Sequence, residues 1–128
     1  MILDSSAVIA VLREEPGHEQ LQVRLEQADV LEMGAPTVFE TNMVLVRRFG
    51  EAGGVLIERF LEDWEVQVLP FGEQHLSLAM DGFARYGKGR HRARLNYGDC
   101  MTYATARVAD QPLLFIGDDF ARTDIAPA

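Results

Sequence analysis

Pro112-Leu113-Leu114-Phe115-Ile116-Gly117-Asp118-Asp119 decides the fold. Four bulky apolar residues stand between a proline and a glycine, with no polar alternation. A short run of that kind reads as a strand buried on both faces, the form a parallel strand takes. Working outward from it, Val66 to Pro70 and Val30 to Met33 are weaker strand candidates, and Met1-Ile2-Leu3-Asp4 is a fourth. Helical periodicity fills the intervals. Ser5 and Ser6 offer hydroxyl caps for an apolar helix over Ala7–Leu12, and Glu15-Pro16-Gly17 breaks it. A second helix runs from about His18 to Ala28, with Leu21 and Leu25 on one face. Thr37 is placed to cap a third over Val38–Phe49, whose stripe is Phe39, Met43 and Val46. Further helices are expected over Val55–Trp64, over Gln74–Tyr86 through Leu78, Met80 and Phe83, and over Asp99–Ala109. Strands alternating with helices imply an α/β fold on a mostly parallel central sheet, with its ligand site outside the carboxyl ends of the strands.

The chain has 128 residues, the usual size of one domain, and no repeat or linker divides it, so residues 1–128 are read as a single domain. Twelve Lys and Arg against twenty Asp and Glu give a net charge of −8, which argues against a broadly basic nucleic-acid coat protein or a polybasic membrane binder. Cys100 is the only cysteine, so no internal disulfide and no thiolate zinc cluster can form. The longest charge-free run, Ser5 to Leu12, is far short of a membrane span, and the opening residues do not resemble a secretory signal. A soluble cytoplasmic setting is the expectation.

Most of the twenty acids sit on polar helix faces. Five, at four places, do not. Asp4 ends the first strand, Glu40 lies near the start of a helix among apolar neighbours, Asp99 opens a helix, and Asp118 and Asp119 follow the last strand across one glycine. All fall at strand carboxyl ends or helix amino ends, which converge on one rim of a parallel sheet. Taken singly, Asp99 reads equally as a helix cap, Glu40 as a partner of the helix dipole, and Asp118 or Asp119 as a turn residue. Together they place like charges where hydration is lost, and a hard divalent cation such as Mg²⁺ offsets that cost. A second feature is a strip of cations. Arg85, Lys88, Arg90, Arg92 and Arg94 place five of the twelve within ten residues that contain no acid, with His91 among them. Either it is a solvated loop or it steers phosphates toward the rim, with Arg107 as a further contributor. Cys100, among small residues on its helix, reads as core packing.

Met1-Ile2-Leu3-Asp4-Ser5-Ser6-Ala7, Pro36-Thr37-Val38-Phe39-Glu40, Tyr86-Gly87-Lys88-Gly89-Arg90-His91 running into Ala93-Arg94-Leu95-Asn96-Tyr97-Gly98-Asp99-Cys100, and Leu113 to Phe120 with Thr123-Asp124-Ile125 form an ordered set across nearly the whole chain. That set resembles the PIN-domain ribonucleases, specifically the VapC toxins of bacterial toxin–antitoxin pairs. The resemblance implies a PIN-like three-layer α/β/α fold and endoribonuclease activity supported by one or two Mg²⁺ or Mn²⁺ ions. It implies Asp4, Glu40 and Asp99 as metal-site and catalytic acids, with the fourth either Asp118 or Asp119. Ser6 and Asn96 match positions that hydrogen-bond the carboxylates. Lys88, Arg90, His91, Arg92 and Arg94 would meet RNA, a transfer RNA or messenger RNA. The implied partners are a VapB-type antitoxin that fills the acidic groove with a basic side chain and a second copy of the chain. Competing readings are a PIN-like module that binds RNA or a partner without cutting, a DNA-flap nuclease, and a signalling receiver domain. The receiver needs a lysine after the last strand and an acid ending the middle strand; Lys88 is the only lysine, and Pro70-Phe71-Gly72 has no acid.

Overall fold

The computed structural model describes residues Met1–Ala128. Its elements run β1 (Ile2–Leu3), α1 (Ser5–Leu12), α2 (His18–Glu26), β2 (Glu32–Gly34), α3 (Ala35–Phe49), α4 (Glu51–Asp63), β3 (Gln67–Leu69), α5 (Glu73–Tyr86), α6 (Tyr97–Ala109) and β4 (Leu113–Leu114), closing with a 3₁₀ turn at Phe120–Arg122. The four strands form one sheet in the order β3-β2-β1-β4. Every pairing is parallel, with Ile2 between Glu32 and Leu113. The α/β expectation with a parallel sheet holds.

Alternation along β1 and β4 divides the core, because successive side chains leave opposite faces. Leu3, Leu114 and Met33 pack with Ala7, Val8 and Val11 of α1, Leu25 of α2, Leu45 of α3 and Ile57 and Phe60 of α4. Ile2 and Leu113 pack the other way, with Ala79 of α5 and Cys100, Tyr103 and Ala104 of α6. Helices therefore cover both faces of the sheet. Helices α3 and α4 approach closely where Gly53 meets the backbone of α3; a Cβ there would stand 2.6 Å from the Val46 nitrogen. Cys100 is buried and its thiol is pushed up to about 11 by burial, in keeping with a packing role.

Several boundaries differ from the sequence reading, each for a local reason. Helix α1 is capped by Asp4, whose carboxylate accepts the Ser6 N–H, so Ser5 and Ser6 are its first residues rather than its caps. Helix α3 follows β2 without a loop. Gly34 is its cap and Pro36 occupies the first turn, where proline's fixed φ and missing donor cost nothing. Thr37 is thus an interior residue, fully buried, sharing a 3.0 Å hydroxyl–hydroxyl hydrogen bond with Thr102. Strand β4 ends at Leu114, because the Ile116 N–H leaves the ladder to donate to the Ser6 hydroxyl. The stripe Phe39, Met43, Val46 faces solvent, while Thr37, Thr41 and Leu45 carry the buried face of α3. Helix α5 behaves similarly, burying Ala79 and Gly82 and exposing Met80 and Phe83.

Candidate functional site

Asp4, Glu40, Asp99 and Asp119 reach the same end of the sheet from four separate elements. Asp4 leaves β1 and is only 5% exposed. Its Oδ2 accepts the Ser6 backbone N–H at 3.0 Å and the Ser6 hydroxyl at 2.5 Å. The same hydroxyl oxygen accepts the Ile116 N–H at 3.0 Å, tying the segment that leaves β4 to the start of α1. Asp99 occupies the third position of α6 in a reciprocal cap. The Asn96 amide oxygen accepts the Asp99 N–H at 2.9 Å, and the Asp99 carboxylate accepts the Asn96 N–H at 2.8 Å. Asn96 therefore holds the Asp99 carboxylate through its backbone rather than its side chain.

Electrostatics ties these acids together. Burial pushes the Asp99 carboxyl up to about 6; the Asn96 N–H opposes this, and the charges of Asp4 and Asp119 add to it. Glu40 is likewise raised, first by burial, then by the charges of Asp4 and Asp99, with the Ser5 hydroxyl pulling the other way. Each charge therefore penalises its neighbours in partly desolvated surroundings. Glu40 is pressed against α6 where residue 98 has no side chain. A Cβ on Gly98 would lie 2.6 Å from Glu40 Oε2 and 2.7 Å from its Cδ.

The two acids after β4 behave differently. Asp118 is 78% exposed and pairs with Arg122 at 3.1 Å. Asp119 is the one whose charge bears on Asp99. No three of the acids, with or without histidine or cysteine, stand close enough to form a ready-made metal cage. The donor set still fits Mg²⁺, which dehydrates reluctantly, keeps several waters and takes only one or two carboxylates directly. The site is an open rim. A cavity of about 610 Å³ lies at the other end of the sheet beside Met1, Val30 and Pro112.

The basic strip is a closed loop. Leu95 N–H donates to the Tyr86 carbonyl and Lys88 N–H to the Leu95 carbonyl. Ala93 and Leu95 are fully buried, so Arg90, Arg92 and Arg94 alternate outward, with Lys88 also exposed. None of these four cations is in an ion pair. Arg94 holds a left-handed φ of 58°, a local strain of the sort that gathers at functional sites. His91 works inside the loop: its Nδ1 accepts the Ala93 N–H at 3.1 Å and its ring meets Tyr86 edge-on. Arg85 and Arg107 are not free. Both are held by Asp124, whose other oxygen accepts the Tyr103 hydroxyl, and Asp124 is lowered accordingly. Arg122 joins strip to rim, donating to the Arg92 carbonyl at 3.1 Å as well as to Asp118.

Three residues at this rim escaped sequence reasoning. Ser5 and Gly98 act on Glu40, and neither role is visible without the fold; Gly98 next to Asp99 was the one available cue. Tyr97, the residue before it, is 81% exposed.

A parallel four-stranded sheet with acids gathered at its carboxyl rim agrees with the outcome of comparison. The PIN domain family model matches residues 1–126. The chain belongs to the PIN-domain family, in its VapC ribonuclease branch. It is 45% identical over 126 residues to ribonuclease VapC36 of Mycobacterium tuberculosis, covering 98% of this chain and 91% of that protein. It is 42% identical over 126 residues to ribonuclease VapC of Mycolicibacterium smegmatis, covering 98% of both. Among solved structures, the crystal structure of Mycobacterium tuberculosis VapC20, described as a sarcin-ricin loop cleaving toxin, superposes with a TM-score of 0.79 at 16% identity, over 99% of this chain and 97% of that one. The toxin–antitoxin complex from Klebsiella pneumoniae gives 0.70 at 15% identity, over 96% and 92%. At such identities these two speak for the fold.

Proposed function

We propose that this protein is a divalent-metal-dependent endoribonuclease, the toxin of a VapBC-type pair, with Asp4, Glu40, Asp99 and Asp119 as its metal-site acids. The observation that carries the reading is that the charges of Asp4, Asp99 and Asp119 bear on the partly buried Glu40 and Asp99 at one end of the sheet. Burial and like-charge repulsion raise two of them, and an arrangement of that cost is relieved by a cation. Bound there, Mg²⁺ or Mn²⁺ supplies positive charge against the scissile phosphate and lowers the pKa of water for in-line attack. Ser6 fixes the orientation of Asp4, and the Asn96 N–H that of Asp99, as supporting hydrogen bonds at metal sites do. Lys88, Arg90, Arg92 and Arg94 draw the RNA backbone to a molecule that is otherwise acidic. Asp118 serves the Arg122 link rather than the metal, and His91 the shape of the loop.

The reading extends to a cytoplasmic setting and to partners. No helix is long and apolar enough to cross a membrane. Phe39, Met43 and Val46 on α3 are more apolar surface than one solvated helix face needs, which supports cover by a VapB-type antitoxin or by a second copy of this chain. The test is cleavage of total RNA with Mg²⁺ or Mn²⁺, with the cut ends mapped. Asp4→Asn and Asp99→Asn should abolish cutting while the fold survives, since an asparagine amide oxygen still accepts the backbone N–H that each carboxylate holds. Full cleavage by either variant overturns the assignment.

A further inference from the structure

Tyr97 is the most exposed large hydrophobic side chain of the protein, at 81%. A single exposed aromatic is unremarkable by itself; its placement is what matters. It is the first residue of α6, and its backbone is fixed by the reciprocal cap of Asn96 and Asp99. On one side, Gly98 abuts the Glu40 carboxylate and Asp99 follows. On the other, Arg94 ends the basic loop, and the fully buried Leu95 anchors the chain between them. The ring stacks on no other aromatic, and the hydroxyl has no hydrogen-bond partner. The other tyrosines, Tyr86 and Tyr103, are both engaged with Arg85 and each other.

We propose that Tyr97 is a nucleobase-stacking residue, holding an unpaired base of the RNA beside the phosphate on which the carboxylates act. The inference rests on the ribonuclease reading above. Aromatic faces are the usual platform for unstacked bases, and they accept any base. Its neighbours in the chain are an amide, a glycine, an acid and the Arg/Lys loop, and that cationic setting favours a polyanion as the occupant. A base on this ring would sit between cations that attract the backbone and acids that act on it. A continuous duplex keeps its bases in the stack and offers none to the ring.

The test uses fluorescein-labelled decamer RNAs of A, C, G and U and a ten-base-pair RNA duplex, with binding to the full chain read by anisotropy in Mg²⁺. An Asp4→Asn background prevents cleavage. Tyr97→Ala and Tyr97→Leu should weaken single-strand binding about 5- to 150-fold, the range for loss of one stacked base at about 1.4 kcal/mol per tenfold. Tyr97→Phe should stay within about twofold of the parent, duplex binding should not change, and the salt slope should be preserved because no charge is lost. Equal affinities for all variants overturn the proposal. So does an equal loss for Phe and Ala, or an equal loss on duplex. If the unsubstituted chain cuts and binds no RNA, the ribonuclease reading falls and this inference with it; cutting that is indifferent to Tyr97 sinks the inference alone.

Discussion

Gly98→Ala should separate activity from stability. A Cβ at this position would stand 2.6 Å from Glu40 Oε2 and 2.7 Å from Cδ, whereas ordinary contact begins near 3.4 Å. The Glu40 carboxylate must therefore move by about 1 Å. It is the far end of a flexible side chain, so the displacement costs about 0.5–1.5 kcal/mol of rotamer strain. Alanine in the first turn of α6 returns about 0.5–1 kcal/mol over glycine. Net stability should change by less than about 1 kcal/mol, and the melting temperature by only a few degrees. Chemistry is less tolerant, because a misplacement of about 1 Å costs on the order of 100-fold in rate. Initial rates of RNA cleavage at saturating Mn²⁺, set beside thermal unfolding of the same samples, read both quantities. A folded Gly98→Ala protein that cuts within about threefold of the parent rate would refute the reasoning, since Glu40 would then not need its position. A melting temperature lowered by more than about 10 °C would refute it differently, by showing that the close approach is structural.

Three further outcomes are expected. Asp119→Asn should abolish cleavage, while Asp118→Asn removes only an exposed ion pair worth about 0–1 kcal/mol and should cut normally; the reverse pattern assigns the fourth acid to Asp118. In chelator-treated protein, Asp99 titrates from 3.8 unfolded to about 6 folded, so the native state binds this proton more tightly. Its contribution to stability is therefore greatest in acid, declines as pH rises from about 4 to about 6, and is level above. At about 1.36 kcal/mol per pKa unit the ceiling is roughly 3 kcal/mol, and partial solvent screening reduces it to about 1–2. The stability of the parent minus that of Asp99→Asn, from urea unfolding at each pH, should fall by that amount and be restored by Mn²⁺; a pH-independent difference removes the buried-charge account. Arg90→Ala with Arg94→Ala should lower the slope of log affinity against log salt for single-stranded RNA by about 1.4, near 0.7 for each phosphate no longer neutralised, and an unchanged slope would exclude these arginines from binding the RNA backbone.

The sequence was most informative where hydrophobic runs met acids. Leu113-Leu114 and Ile2-Leu3 were legible as parallel strands because each is buried on both faces, and the rim position of Asp4, Glu40 and Asp99 followed from their places at a strand's carboxyl end or a helix's amino end. Caps were less legible. Asp4, Ser5 and Ser6 are all good cap residues, and the choice of Asp4 depends on where β1 stops. The exposed stripe of α3 shows why periodicity misleads: it finds an apolar face without saying whether this chain covers it. Asp118 and Asp119 are indistinguishable in sequence, and only Arg122, one helical turn beyond Asp118, separates them. Arg85 and Arg107 read in the sequence as part of the basic strip, but Asp124 consumes their charge through pairings between residues far apart in the chain.

The stitch from the Ser6 hydroxyl to the Ile116 N–H joins residues 110 apart in sequence. Along with the pairing of β1 to β4, it means that the acid-bearing rim is completed by a segment far downstream of Asp4. Pairings of such span form late and slowly. A chain in which β4 has not yet paired holds Asp4, Glu40 and even Asp99 without the strand that aligns them. A chain cut before Leu113 would keep all three acids yet lose both the strand beside β1 and the N–H that holds the Ser6 hydroxyl on Asp4.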